Sequence, residues 1–501
     1  MTQQYSPSRE QFLELSRTCN LIPVHAEFYG DMETPVGAYA KLRGNGPSFL
    51  LESVVGGESV GRYSFLGSDP CLELRVFDDR IELREKGLAP KCFESSGDPM
   101  AFLESYFSGI RMAPAAPGAP AFTGGAVGYV GYESIHRFEP SVPRPSVAAL
   151  PTPLAYFLIT GTVVVFDHAR QKLSVYANAR LDESTDVNAA YDDAINAIEQ
   201  TLCRLSTKLQ SAFQPIPSAR QGSKLDIRSN FTAPQFCEAV AKVKAYIRDG
   251  DVFQTVLSQR FEVDYPRDAL HLYRSLRCVN PSPYMTLLEC EDLAVVSASP
   301  EVHVKVTHGK VEIRPIAGTR PRGNDPEEDL ALERDLLADA KEKAEHLMLV
   351  DLARNDIGRV CKVGSVSVPR FMLIERYSHV MHIVSQVFGD LAEGKNAFDL
   401  MRATFPAGTI SGAPKVRAMQ VIAELERCQR GVYSGALGYF SFNGNHDSAI
   451  AIRTAVLSKG KVYVQAGAGI VADSDPMKEY EETVNKAKAM LRAVEQSLLV
   501  E

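Results

Sequence analysis

Apolar positions recur every second residue over several short runs and about every 3.6 residues over a few longer ones. Short runs dominate the first half. Residues 47–55 hold the apolar stretch SFLLESVV, closed by Gly56-Gly57, and 62–65 and 71–77 alternate as strands. Residues 80–84 supply a hairpin partner, and 154–166 with 172–177 predict a second paired strand unit. The Ala/Pro/Gly segment 113–120 is a loop, and 187–209 has helical spacing. In the second half, Phe236, Val240, Val243 and Ile247 predict a helix over 233–248 that Gly250 stops. Strands follow at 252–261, 284–289, 293–298, 303–307 and 310–315. Residues 325–350 predict one long helix, with Asp325 as cap and Pro326 at its first position. A strand over 376–388, helices over 397–404 and 413–426, and strands over 436–442, 448–457 and 461–468 lead to a closing helix over 475–498, again opened by Asp-Pro. Hairpin-like strands interrupted by a few long helices, with no fixed-period repeat, predict an α+β protein with largely antiparallel sheet.

The polar stretch 211–229, with two prolines and no periodicity, is the best linker candidate. It suggests an N-terminal region 1–212, a linker 213–232 and a C-terminal region 233–501. The 501 residues are 45% hydrophobic and 23% charged, which fits a folded chain rather than a disordered one. A net charge of −8 disfavours nucleic acid as a partner. It also requires local positive charge if the substrate is an anion. Nine cysteines, widely spaced and without C-x-x-C, predict reduced thiols in a cytoplasmic protein and no zinc site. No basic start followed by an apolar core marks a secretory signal, and the most apolar stretch, 156–166, is too short to span a bilayer. Neither nucleic acid nor membrane is expected as a partner.

Gly124, Gly125, Gly128 and Gly131 suggest a dinucleotide fingerprint at first sight. Their G-G-x-x-G-x-x-G spacing lacks the strand and the acid which that motif needs, so close backbone packing is the better reading. His379 and His382 lie three apart on a predicted strand, hence on opposite faces, and do not share a metal. Sharper are two E-x-x-E pairs on the predicted long helices: Glu342 with Glu345, and Glu479 with Glu482, followed by Lys486. One such pair alone would be a solvated face. Two pairs flanked by glycine-rich loops suit a hard cation such as Mg²⁺, which keeps waters and takes part of its shell from an anionic substrate. Gly467-Ala468-Gly469 and the small, hydroxyl-rich segment 406–415 permit close backbone approach to an anion, and Arg453 is a candidate carboxylate partner.

Taken together, these segments resemble the chorismate-utilising enzymes, most closely the anthranilate synthase component I branch. The matching pieces are PIAGTR at 315–320, EKAEHLMLVDLARND at 342–356, SHVMH at 378–382, AGTISGAPKVRAM at 407–419, IRTA at 452–455 and GAGIV at 467–471. The resemblance covers almost the whole chain and is densest over 235–495. It implies two large, mainly antiparallel sheets packed around the active site with helices outside. It implies Glu345 and Glu479 as Mg²⁺ ligands, with Glu342 and Glu482 acting through water, the metal holding the ring carboxylate of chorismate. Arg453, Tyr433 and backbone at Gly467, Ala468 and Gly469 would meet the enolpyruvyl carboxylate, with Gly318, Thr319, Thr409 and Lys486 as further contacts. Glu301 would protonate the departing C4 hydroxyl, and His382 would serve as acid, base or orienter during pyruvate elimination.

Two positions separate the branches. Water-adding relatives carry a lysine where this chain has Gln254, and the folate-branch aminodeoxychorismate synthases carry one where it has Ala317. The resemblance thus implies amination of chorismate by ammonia via aminodeoxyisochorismate, then loss of pyruvate to give anthranilate, the first step of tryptophan biosynthesis. None of the nine cysteines has a glycine neighbour, so the nucleophile elbow of a glutaminase is missing. Ammonia would come from a separate glutamine amidotransferase subunit, two of each chain forming a heterotetramer. Leu51, Glu52 and Ser53, with Asn280, Pro281, Tyr284 and Met285, resemble two halves of a feedback site for L-tryptophan. An enzyme made when tryptophan is scarce is consistent with the absence of Trp from the chain. The alternatives are an aminodeoxychorismate synthase component and a non-catalytic tryptophan-binding regulator. Ala317 argues against the first and the full acid set against the second.

Overall fold

The computed structural model describes residues 4–54, 61–95, 97–145, 147, 150–209, 225–377, 380–426 and 428–499. Two antiparallel sheets of twelve strands each organise them. The first runs Leu21–Tyr29, Lys172–Arg180, Thr162–Asp167, Tyr63–Ser68, Ser48–Glu52, Tyr284–Glu289, Ala294–Ser299, Thr454–Ser458, Lys461–Ile470, Gln254–Asp264 and Arg228–Ser229, with Gly412–Ala413 also on Gln254–Asp264. The second runs Ile316–Pro321, Val380–Asp390, Lys310–Ile313, Val302–Thr307, His446–Ile450, Ala436–Ser441, Gly125–Val130, Ala155–Ile159, Leu72–Val76, Arg80–Glu85 and Lys91–Glu94, with Ser367–Arg376 beside Val380–Asp390. Strands from both sides of the 213–232 segment contribute to each sheet. The architecture is the α+β arrangement that the hydrophobic pattern and the resemblance imply.

The central strands of each sheet are buried on both faces, and alternation along them shows how. In Thr162–Asp167, Val164 and Phe166 join a core under the helices, while Val163 and Val165 join Phe49, Phe122, Tyr129, Tyr156 and Tyr439 between the sheets. In Ala155–Ile159 of the other sheet, Phe157 and Ile159 face helices and Tyr156 and Leu158 face the intersheet layer. Helices Val187–Leu205, Ala269–Val279 and Pro476–Leu499 cover the first sheet; Ala101–Ser108, Ala340–Gly358 and Ala397–Thr404 cover the second.

Local signals set the helix ends. Asp325 accepts from the N–H groups of Glu327 and Glu328 with Pro326 at the first position, and Thr232 forms a capping box with Gln235. The structure corrects the pattern in several places. The predicted helix over 325–350 is two, Pro326–Ala338 and Ala340–Gly358, because Asp339 leaves the helical conformation and caps the second. The runs 154–166 and 448–457 each break into two strands that join different sheets, the second break falling at 451–453. Arg453 therefore stands between strands rather than on one, with φ +50°. The 376–388 strand begins at Val380, and the sequence reading leaves out the helix Ala269–Val279, although Asp268 caps it and Ala269, Leu272, Tyr273 and Leu276 repeat at helical spacing.

The glycine-rich segment packs as expected. A Cβ at Gly128 would sit 1.8 Å from the Tyr156 carbonyl oxygen, so only glycine lets these strands pair at this register. Gly56-Gly57, residues 213–224 of the linker and His379 lie outside the described residues. Among the described residues all nine cysteines are free and no helix is long and apolar enough to cross a membrane.

Candidate active site

A cavity of about 380 Å³ opens where the first sheet, the break at 451–453 and two helices meet. Its floor is two paired strands. Val256 of Gln254–Asp264 stands opposite Gly469, and Ser258 opposite Gly467. Gln465, Gly467 and Gly469 of Lys461–Ile470 line the cavity, while Ala468 packs on the other face beside Phe236 and Val240. Side chains at Gly467 and Gly469 would press on groups of the cavity. A Cβ at Gly467 would lie 2.8 Å from the Tyr433 hydroxyl oxygen, and one at Gly469 2.7 Å from Nε2 of Gln254.

Two helices bring the carboxylates. Ala340–Gly358, started by Asp339, presents Glu342 and Glu345; Pro476–Leu499 presents Glu479, Glu482 and Lys486. Burial, with the neighbouring Glu345 charge, raises the pKa of Glu342. Burial also raises that of Glu479, with the Glu482 charge adding to the rise and Ser474 opposing it. Like-charge crowding in a partly dry site favours a cation there. Gln254 Nε2 donates to Glu345 (3.1 Å), Lys486 Nζ pairs with Glu482 (2.7 Å) and donates to the Gly467 carbonyl (3.0 Å), and Arg320 stands 3.7 Å from Glu342. No three His, Cys, Asp or Glu groups among the described residues are close enough to share a metal. An all-oxygen set on two helices does fit Mg²⁺, which is commonly held by one or two carboxylates plus water and substrate.

Arg453 lines the same cavity from the break at 451–453; it is half-buried, and burial lowers its pKa. Among the described residues no carboxylate lies within ion-pair distance of it. A cation so placed lacks the partner that an anionic ligand would supply. Glu301 also lines the cavity, and burial pushes its carboxyl up to about 7 while Thr409 and Lys486 hold it down. Thr409 Oγ1 faces the Glu301 carboxyl and has no other partner in the protein. Lys341, Gln465 and Ile452 line the cavity too and carry no sequence signal of their own.

The remaining predicted residues lie nearby. Gly318 adopts φ +68°, and a Cβ there would crowd Leu336, Ile383 and the Glu342 carboxyl, the last at 3.4 Å. Thr319 faces His382 across the strand pair, and His382 Nδ1 donates to the Gly318 carbonyl (2.9 Å). Burial lowers the His382 pKa, while the bond to the Gly318 carbonyl opposes the fall. The cavity is lined by Ala317, not by Gly318, Thr319 or His382. A second cavity, about 1250 Å³, separates the sheets and is lined in part by Leu51, Glu52, Ser53, Pro283, Tyr284 and Met285. Strand pairing places Met285 opposite Glu52. Arg277 lies 3.3 Å from the Glu52 carboxylate, and the Tyr273 hydroxyl donates to it. Asn280 caps Ala269–Val279 and Pro281 is exposed; neither lines this cavity.

Residues 74–492 match the family model described as chorismate binding enzyme. The chain is 46% identical over 498 residues to anthranilate synthase component 1 of Acetivibrio thermocellus, covering 98% of this chain and 99% of that one. It is 47% identical to the component 1 of Pseudomonas aeruginosa, with 97% and 98% covered. The crystal structure of anthranilate synthase component I from Streptococcus pneumoniae superposes with a TM-score of 0.77 at 38% identity, covering 92% of this chain and 98% of that one. The menaquinone-specific isochorismate synthase of Escherichia coli, at 19% identity and TM-score 0.69, shares the fold. Cavity and comparisons agree: the chain belongs to the chorismate-binding enzyme family.

Proposed function

We propose that the chain is the large subunit of an anthranilate synthase, which aminates chorismate with ammonia and eliminates pyruvate. The observation that carries this reading is the charge layout of one cavity. That cavity is lined by an unpaired Arg453, by four glutamates on two helices, and by Glu301, whose carboxyl burial raises to about 7. Chorismate is a dicarboxylate, and such a cavity offers both of its carboxylates a seat. Arg453, the Tyr433 hydroxyl and the N–H groups of the Gly467–Gly469 segment would bind the enolpyruvyl carboxylate. Glu345 and Glu479 would hold Mg²⁺, with Glu342 and Glu482 in reach through water; the bound ion supplies a positive seat for the ring carboxylate.

Glu301 then donates its proton to the C4 hydroxyl. The C4–O bond breaks, water leaves, and the ammonia lone pair forms the bond at C2 as the ring double bonds shift. The ammonium proton on the product returns to ionised Glu301. In the second stage C2 loses its proton, the ring becomes aromatic, and the C3–O bond breaks to release pyruvate after protonation of its enol carbon. His382 holds Gly318, and with it the backbone beside Glu342, in place. Gln254 leaves the site without the amine that would activate water, and Ala317 leaves it without one that would attack the ring. Ammonia is delivered by a glutaminase subunit. L-Tryptophan binds between the sheets at Leu51, Glu52, Ser53, Tyr284 and Met285, disfavouring the active arrangement.

The test is the purified chain with chorismate, Mg²⁺ and an ammonium salt, followed by anthranilate fluorescence and product identification. Anthranilate that disappears with EDTA and returns with excess Mg²⁺ is the expected result. A 4-amino product would move the chain to the folate branch. Absence of turnover even with the glutaminase subunit added would overturn the catalytic reading.

A further inference from the structure

Behind the cavity floor lies an ion pair that takes no part in the proposed chemistry. Arg430 and Glu426 have side chains 1% and 3% exposed, and Arg430 does not line the cavity. All five guanidinium N–H groups are used. Nε and one Nη2 hydrogen go to the two Glu426 oxygens (2.8 and 2.6 Å). The other Nη2 hydrogen goes to the Val256 carbonyl (2.8 Å), and Nη1 donates to the Ile410 carbonyl (2.9 Å) and to Ser434 Oγ (3.2 Å). Three separate chain segments therefore meet on one rigid fork. The guanidinium carbon lies 4.6 Å from the Tyr132 ring centroid and 5.6 Å from that of Tyr433. Tyr132 and Glu133 end the glycine-rich segment, which supplies no group to the cavity. The Glu133 carboxylate accepts the N–H groups of Arg430 (2.7 Å) and Gly431 (2.8 Å), fixing the backbone from the other side.

The arms of this fork end at the cavity wall. Ile410 lines the cavity and follows Thr409, which faces Glu301. Val256 lines it too, two residues from Gln254, which holds Glu345. A further arm runs through Glu426, whose Oε1 accepts both the N–H and the Oγ–H of Ser258 (2.8 Å each). The carboxylate can only accept, so the Ser258 hydroxyl must donate to it. That leaves the Ser258 oxygen to accept from Gln465 Nε2 (2.8 Å). The direction of this chain fixes the Gln465 amide with Oε1 as a buried acceptor that has no partner in the protein. Buried ion pairs add little to stability by themselves, whereas a saturated fork fixes relative geometry.

We infer that Arg430, held by Glu426, Tyr132 and Glu133, is a positioning residue for the amination site: it sets Thr409, Gln254 and Gln465 relative to Glu301 without touching substrate. The inference rests on the proposed chorismate chemistry. Turnover by the unaltered chain is therefore measured first, and its absence sinks that reading rather than this one.

Arg430→Lys keeps the charge pair and removes the fork. With misplacement of reacting groups by about 1 Å, kcat should fall roughly 30- to 100-fold. KM for chorismate should rise by a smaller factor than kcat falls, because Arg453, Gly467 and Lys486 are not bonded to Arg430 and Tyr433 meets it only through its ring. The midpoint of thermal unfolding is recorded alongside. The double variant Glu426→Gln/Arg430→Gln, uncharged at both positions, serves if the lysine variant does not fold. Thr409→Ala should cost less in the Arg430→Lys background than in the unaltered chain, since Arg430 acts partly through Thr409. A folded variant with unchanged kcat overturns the inference. So does a kcat loss matched by a KM rise of the same size, or full additivity with Thr409→Ala.

Discussion

Replacing Glu301 by Gln tests the acid at the centre of the proposed mechanism through two independent readouts. Burial moves this carboxyl from 4.5 to about 7 in the folded chain. In the unfolded chain it ionises at its ordinary value, so the folded state binds the proton more tightly. Below about pH 4 the group is neutral in both states and costs nothing. As pH rises through the interval between the two values the folded state loses stability, and above about pH 8 the loss is complete at about 3 kcal/mol. An amide cannot ionise, so Glu301→Gln escapes this loss. The unfolding midpoint of that variant, relative to the unaltered chain, should rise between pH 5 and pH 8.5. Comparing the two proteins at each pH cancels other titrating groups, including buried Glu133, whose carboxyl also sits at about 7. At the same time turnover should fall by roughly 10²- to 10⁴-fold, the usual worth of a placed general acid. In the unaltered chain kcat/KM should decline above about pH 7, as the protonated form is lost. The assay is thermal unfolding by circular dichroism at both pH values, with anthranilate fluorescence for rate. A stability difference independent of pH would refute the buried, proton-holding carboxyl. Turnover within tenfold of normal would refute its role as acid.

The two other predictions concern binding. Gly467→Ala places a methyl 2.8 Å from the Tyr433 hydroxyl and 2.9 Å from the Leu257 carbonyl, so it must displace the tyrosine; KM for chorismate should rise about tenfold or more, and an unchanged KM would show that Tyr433 and this backbone do not bind substrate. Glu52→Gln removes the charge facing the intersheet cavity; the L-tryptophan concentration giving half inhibition should rise about tenfold, with kcat kept within a factor of about two, and unaltered inhibition would place the regulator elsewhere.

Much of the molecule is written locally. Asp325-Pro326, the Thr232 capping box and Asp475-Pro476 start helices because a side-chain oxygen satisfies nearby orphan N–H groups and proline needs no such partner. The E-x-x-E spacing puts Glu342 beside Glu345 and Glu479 beside Glu482 on any helix, whatever packs against it. Alternation in Lys461–Ile470 likewise separates Gly467 and Gly469 from Ala468. The same local reading overlooked Asp339, a cap inside a continuous helical pattern, because its neighbours are also good helix formers. Such signals act over a few residues and survive without knowledge of the fold.

Other features depend on contacts between distant residues. The stretch 154–166 is apolar on both sides of Thr160-Gly161-Thr162, since its strands are buried on both faces, and nothing local says that Ala155–Ile159 and Thr162–Asp167 belong to different sheets. The break at 451–453, which aims Arg453 into the cavity, is of the same kind. Lone Arg430 and Gln465 carry no periodic or spacing signal, and their roles come only from Ile410, Val256, Ser258 and Glu133 converging on them. Most helix starts and the spacing of the carboxylate pairs were thus legible in the linear chain, because caps and helical spacing are short-range. Which strands share a sheet, which glutamates meet Arg453 across one cavity, and how far burial lifts Glu301 emerge only on folding, because pairing, convergence and desolvation are properties of residues far apart in the chain.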